Sequence, residues 1–376
     1  LVTYSISPLD TWFFRDGRPF NMNESNQVDL RSIFPPSAHT VVGAIRASLA
    51  RAMGWAGQGR WLGDIEYILG NGRENLGQLR FHGPYIHSEK HGGLLLPTPL
   101  HLLGKPPKKE DKLCPSKKKD KTWLLATLSP EDPVDCDLGE GVCLPSARNI
   151  EGFKTLRDYY LTVKDFEVLL AGGDPKDIHP ISRKELWDLE YWVGLKRNPF
   201  TLTTEDRALF SKRHVRLAPG VSLIMQLDGP DGLAEIEPII ALGGESRMAQ
   251  VQIIEKELKF PARPNLESRD GSIKFTITNL TPVLFEGSWP GPRGQIKRIP
   301  GEVVSACLER PLFLGGWDSL RGKHGEPLPL RPYVPAGSIW FCEANTEDLD
   351  LVKLLHRAHI GEEVNPGFGQ VAVGMW

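Results

Sequence analysis

Net charge is the first thing this sequence lacks. Lys and Arg number 45 against 47 Asp and Glu, a formal charge of −2 over 376 residues. A balance so near zero excludes a generic polybasic nucleic-acid coat, and any polyanion contact must come from a local patch. Long apolar runs are missing too. No stretch reaches the ~18 apolar residues of a membrane-spanning helix, so no membrane partner is expected. The five cysteines, Cys114, Cys136, Cys143, Cys307 and Cys342, are odd in number and scattered, which suits a reducing cytoplasm. The opening Leu1–Ser5 has no basic stretch leading into an apolar segment, so secretion is not expected.

Catalytic signatures are also absent. Gly322-Lys323 looks like the end of a phosphate-cradling loop, but Trp317 stands at the first glycine position and His324 replaces the Ser/Thr. The glycine-rich run 54–63 follows a helical stretch rather than a strand, the wrong context for a dinucleotide. Gly220-Val221-Ser222-Leu223 lacks the second glycine of a nucleophile elbow. Cys136 and Cys143 are spaced too widely for a zinc ribbon, and neither His356 nor His359 has a Cys or carboxylate at ligand spacing. No catalytic residue, cofactor or metal is therefore expected.

What the chain has is length for about two domains and a surplus of turn residues. Gly 38 and Pro 31 exceed their usual joint share of about 12%, which predicts long irregular connections. The first strand is expected over 4–14, ending at the Asp16-Gly17 turn. Ser37 then caps a helix whose apolar positions Val42, Ile45, Leu49 and Met53 recur at helical spacing up to Gly54. Extended stretches follow near 78–86 and 93–103. Strand, helix and strand pair in this order open a ferredoxin-like βαββαβ unit. The run 105–121 holds eight lysines and three acids without apolar periodicity, a solvated insertion. A helix is expected over 181–193, since Ser182 and Glu185 form a capping-box pair. A boundary is expected at 261–271. Beyond it come a strand over 273–283, an extended region over 334–343, a helix from Asn345 or Thr346 to Gly361, and a last strand over 370–376. The expected fold is α+β: two ferredoxin-like (RRM-like) domains, 1–262 and 272–376, with long inserted loops.

Several features offer a grip on RNA phosphates. His39, Gly43 and Arg46 fall on one edge of the first helix, whose N-terminus is a ready anion site. The same residues also fit plain packing, with Gly43 at a close helix contact. In Lys212-Arg213-His214-Val215-Arg216, strand parity turns Lys212, His214 and Arg216 one way and Arg213 and Val215 the other. Such a face would neutralise about two phosphates, or else pair with Glu205 and Asp206. Gly243 and Gly244 permit positive φ ahead of Arg247, although Glu245 could instead tie Arg247 into an ion pair. Arg15 and Arg18 sit on the first turn. In Gly367-Phe368-Gly369 charge is too sparse to hold phosphate, but the glycines let backbone lie against a partner while Phe368 anchors in the core.

Taken together, Pro8-Leu9-Asp10 through Phe13-Phe14-Arg15-Asp16-Gly17-Arg18-Pro19-Phe20, then Phe34-Pro35-Pro36-Ser37 and Thr40 to Arg46, resemble a specific family. The likeness continues through 210–223, Leu242 to Arg247, Gly315-Gly316-Trp317-Asp318, Val334 to Ser338 and Gly367 to Gln370. This pattern is similar to the RAMP subunit three of type III-B CRISPR (Cmr) effector complexes. The resemblance implies a cytoplasmic, non-catalytic antiviral-defence subunit. It would help hold the repeat-derived 5′ tag of the crRNA, anchor the large signalling subunit, adjoin a backbone RAMP subunit and meet target RNA indirectly. Two alternatives stay open: an endoribonuclease processing precursor crRNA with a histidine such as His39 as base, and a scaffold that touches protein only.

Overall fold

A computed structural model of the protein describes all residues except 17–27, 107–122, 199, 234, 256, 288–290, 292 and 319–325. Arg18 and most of the lysine-rich run lie outside the described residues. The architecture is α+β, with antiparallel sheets and few helices.

In the N-terminal half the first strand, β1 (Val2–Pro8), is followed by helix α1 (Ala38–Ala52) and then β2 (Arg80–Ser88). Farther along come β3 (Val221–Asp228) and β4 (Met248–Ile253). Their order across the sheet is β4-β1-β3-β2, every neighbouring pair antiparallel. β1 and β2 are therefore parallel with β3 between them, the arrangement of a split βαβ unit. The expected helix is present over its expected span: Met53 closes it and Gly54 turns away at φ 98°, but Ser37, at the N-cap position, makes no side-chain capping hydrogen bond. Its stripe of Val42, Ile45 and Leu49 packs on Tyr4, Ile6, Leu223 and Met225 of the sheet. Each such fully buried side chain contributes about 1.5–3 kcal/mol.

Three expectations need correction here. The first strand stops at Pro8, and Trp12 instead pairs with Val215 through reciprocal backbone bonds of 2.9 and 2.7 Å. The strand Gly93–Pro97 does pair with β2, but β3 completes the four-stranded order and Gly93–Pro97 extends the sheet outward. The stretch 181–193 is not a helix. Ser182 and Glu185 do form a capping box, but it closes only a single 3-10 turn, Arg183–Glu185. The chain then becomes the strand Trp187–Arg197, paired antiparallel with Thr204–Leu217 from Trp187–Leu217 outward. The cross-strand ladder outweighs the local start signal, because Trp187, Leu189, Tyr191, Val193 and Leu195 alternate at period two. This hairpin is called the N-terminal arm below.

The C-terminal half repeats the plan. β5 (Ser272–Asn279), β6 (Glu302–Cys307), β7 (Ile339–Asn345) and β8 (Val371–Met375) lie in the order β8-β5-β7-β6, again antiparallel throughout. Both halves also carry a hairpin in the same connection, between their second and third strands. In this half it is Leu312–Asp318 with Glu326–Tyr333, the C-terminal arm. The helices differ. The N-terminal half keeps the first crossover helix, α1, whereas this half keeps the second, α2 (Leu349–Leu354). α2 is shorter than the expected span to Gly361. Arg357 takes φ 67° and donates its backbone N–H to Val371 at 2.8 Å, which leaves the helical path.

Glycine makes the joint between the halves. Gly367, at φ 110°, lies where an added Cβ would stand 2.5 Å from the Gly83 carbonyl oxygen of β2. Gly337 approaches Thr98 in the same way, with an added Cβ 2.8 Å from its carbonyl oxygen. Backbone bonds seal both places, Phe81 N–H to Asn365 O at 2.7 Å and Leu100 N–H to Gly337 O at 2.9 Å. Phe368 is buried against Tyr333 and the ring of His39. The partner of the glycine loop is thus the other half of the same chain.

Candidate nucleic-acid interface

Three separated segments meet at the base of the N-terminal arm. The first is the chain just after β1. Phe13 is pinned by its carbonyl oxygen, which accepts from Gly244 N–H at 2.8 Å. The second segment supplies that donor: at Gly243, φ 90°, an added Cβ would stand 2.8 Å from the same oxygen. Glu245 and Ser246 then continue in left-handed conformation, which aims the Glu245 carboxylate at the arm. The third segment is the arm strand holding Lys212 to Arg216.

The parity read from the sequence holds. Lys212 and His214 face Glu245 and Arg216 faces Asp10 and Glu190, while Val215 is buried in the core and Arg213 stacks over Tyr191 at 4.6 Å on the opposite face. His214 is fully buried between the rings of Phe13 and Trp192, at 5.4 and 5.2 Å. Its Nδ1 lies 3.1 Å from Thr11 Oγ1 and its Nε2 3.2 Å from Glu245. Burial, helped by the Arg247 and Lys212 charges, pushes its pKa below the usual histidine value against the pull of Glu245. His214 is a buried spacer and not a phosphate ligand, which corrects the expectation for that residue.

The cations around it are placed but engaged. Lys212 Nζ meets Glu245, and Arg216 bridges Glu190 and Asp10. Arg247 reaches Asp10 at 3.4 Å and lies over Trp192 at 5.2 Å. The acids that answer the block are therefore Asp10, Glu190 and Glu245; the side chains of Glu205 and Asp206 lie outside the described residues. The Arg216 pairs are exposed and worth about 0.2–1 kcal/mol each, too little to keep that arginine from an incoming phosphate, whereas Lys212 and Arg247 are mostly buried. Arg15 is exposed on the neighbouring segment, bridged by backbone to Ser32. Beside the block the arm presents Tyr191 at 63% exposure, with Val193 and Leu195 beyond it. Sequence reasoning missed this apolar stripe because it expected a helix there. The period-two alternation from Trp187 to Leu195 was the available signal.

The first helix offers no such site. Arg46 is buried and spends its guanidinium on the carbonyls of Leu69, Gly72 and Asn75 at 2.8, 2.8 and 3.3 Å. Burial lowers its pKa to about 10. It clasps the 69–75 loop, so the expectation that it meets phosphate is wrong. The helix tip is not open to an anion either, because Ala38 is buried against Leu284, Leu314, Tyr333 and Phe368. His39 is held by Glu363 at 2.9 Å with its side chain 12% exposed, and burial pushes its pKa below 6.5. Gly43 is exposed, and an added Cβ would meet nothing within 4 Å, so no close helix contact needs it. Gly367, Phe368 and Gly369 serve the joint described above. Among the described residues, no group of three or more His, Cys, Asp or Glu side chains could hold a metal ion.

Comparison with known proteins gives a family match across the chain. A family model described as CRISPR-associated protein (Cas_Cmr3) matches residues 4–376. No curated protein matches. Solved structures match as well, among them two of one kind of assembly. A chain of the cryo-EM structure of the Type III-B Cmr-beta bound to cognate target RNA is 14% identical, with TM-score 0.46, over 94% of this chain and 89% of that one. A chain of the same assembly with cognate target RNA and AMPPnP, state 1, is also 14% identical, with TM-score 0.47, over 94% and 88%.

Proposed function

Since the chain belongs to the Cas_Cmr3 family of CRISPR-associated proteins, we propose that it is a non-catalytic subunit of a type III-B Cmr effector complex. In this reading it helps hold the 5′ tag of the crRNA and anchors the large signalling subunit beside a backbone RAMP subunit. Each half is then one ferredoxin-like unit, which the shared strand order and the shared arm position support. The observation that carries the RNA contact is the meeting of residues 10–16, 211–216 and 243–247 at one arm base. There Lys212, Arg216 and Arg247 stand beside Trp192, and Arg213 beside Tyr191. Single-stranded RNA is bound by such combinations: cations take phosphates while bases stack on exposed rings. The exposed carboxylates Asp10 and Glu190 keep Arg216 neutralised until a polyanion displaces them.

The endoribonuclease alternative is disfavoured by one observation. His39, its candidate base, is buried and already bonded to Glu363. Incubating the purified protein with repeat RNA should leave that RNA intact. The tag-binding reading is tested by replacing Lys212, Arg213 and Arg216 together with Ala in the reconstituted complex. Retention of crRNA should fall, and the dependence of log K on log salt should flatten by about 0.7 for each phosphate no longer neutralised. Unchanged retention and slope would leave a scaffold that touches protein only.

A further inference from the structure

The crossover that α1 makes in the N-terminal half has no helical counterpart between β5 and β6 among the described residues. Residues 285–286, 291 and 293–298 instead border a cleft of about 1020 Å³. Arg293, Lys297 and Arg298 line it from that loop, Arg331 from the C-terminal arm, and Arg73 from the N-terminal half. Arg293 donates to the Glu140 carbonyl oxygen at 2.7 Å, which leaves its charge unneutralised. Lys297 reaches Glu286 only at 3.7 Å, with both side chains largely exposed. Arg298 is exposed, holds φ 73° and pairs with no carboxylate among the described residues.

The opposite wall is more rigid. Arg331 bonds Glu362 and Glu363 at 3.1 and 3.2 Å, and Arg73 reaches Glu363 and the Tyr333 hydroxyl at 3.3 and 3.1 Å. Arg73 Nε, however, is buried and has no acceptor. A buried donor of this kind can be satisfied by a water or by a bound group. Glu362 and Glu363 are thus answered by arginines within the wall; with Glu74 and Glu286 also in the lining, five cations face four carboxylates, a surplus of one positive charge, and Arg293 and Arg298 have no carboxylate partner among the described residues.

We propose that this cleft binds the phosphodiester backbone of RNA, a second grip on the strand held at the N-terminal arm. The inference rests on the RNA-binding reading above. Its chemistry favours phosphate: the planar arginine fork matches phosphate oxygens two at a time. Gly291 and Gly294 in the lining leave room for a sugar-phosphate chain, and half-buried Phe285 offers a ring edge to a base. The volume stands at the upper end for small-molecule pockets, enough for a nucleotide or more.

The test uses the full chain and a short fluorescent single-stranded RNA. Lys297→Glu with Arg298→Glu should weaken binding at least ~10-fold and flatten the salt slope by about 1.4, the share of two phosphates. The neutral pair Lys297→Gln with Arg298→Gln should do the same to a lesser degree. If wild type binds, the Lys212/Arg213/Arg216 alanine variant is weakened and both cleft variants bind like wild type, the cleft proposal falls and the arm reading stands. If wild type does not bind at all, both fall. If the cleft variants lose adenosine monophosphate but keep RNA affinity, the cleft takes a free nucleotide and the proposal is again overturned.

Discussion

The two halves share one strand order and one arm position, yet their first crossovers differ in kind. In the N-terminal half the crossover is α1, whose Val41, Val42, Ile45 and Leu49 plug the sheet with apolar surface. In the C-terminal half the described residues of the corresponding stretch form no helix and border a cleft where five cations face four carboxylates. The same topology therefore gives a sealed core on one side and a charged opening on the other. Strand order is set by which strands pair; what covers the sheet is set by the side chains of the connection, and chemistry is free to diverge there.

The largest effect expected from this contrast is at the plug. Ile45→Ala should cost about 2–5 kcal/mol in chemical denaturation, because a cavity opens under α1. A loss below ~1 kcal/mol would mean that the helix is not the keystone of its half. Next comes the joint. Gly367→Ala should cost about 1–3 kcal/mol, since a Cβ would be forced into left-handed backbone against the Gly83 carbonyl. Gly43 is the control, a glycine equally prominent in the sequence. Gly43→Ala should instead stabilise by about 0.5–1 kcal/mol, as a helix interior with open space gains from alanine.

The joint should also be sensitive to acid. Burial alone would raise the Glu363 pKa, but hydrogen bonds from His39 and Tyr333 and the Arg73 charge overcome it and hold the pKa at about 2. A depressed carboxylate pKa adds stability above its ordinary value, 4.5, and that stability is lost as pH falls from there toward about 2. His39, neutral in the fold and held below 6.5 by burial, adds a loss that begins as pH drops under 6.5. Urea midpoints recorded down the pH scale should fall in both windows. In Glu363→Gln the acid-side fall should flatten; an unchanged profile would show that the network contributes nothing.

The smallest effect should be on stability at the open side. Lys297→Glu with Arg298→Glu should shift unfolding by no more than about 0.5 kcal/mol, since both side chains are exposed and support no core packing.

Elements with strong local patterns were legible in the sequence. α1 was readable because an apolar stripe, a preceding Ser37 and a following Gly54 all agree. Strand parity at 212–216 was readable because the period is fixed at two. Cation pairing was not, since Asp10 and Glu190 lie far from Arg216 in sequence and only sheet pairing brings them together. Arg46 misled for a related reason: its three carbonyl partners belong to a loop whose path no local signal fixes. Glycines misled in one direction. Gly243, Gly244 and Gly367 suggested backbone open to a ligand, and each is used for close approach within the chain.

Tag binding by this chain turns on where the front of the guide strand lies. Crosslinking a crRNA that carries a photoreactive base in its 5′ tag, within the reconstituted complex, would locate it on this chain by mass spectrometry. Adducts are expected at 191–192 and 212–216, on peptides from the arm base. Adducts confined to other subunits, with the arm base unmodified, would contradict a tag-holding arm.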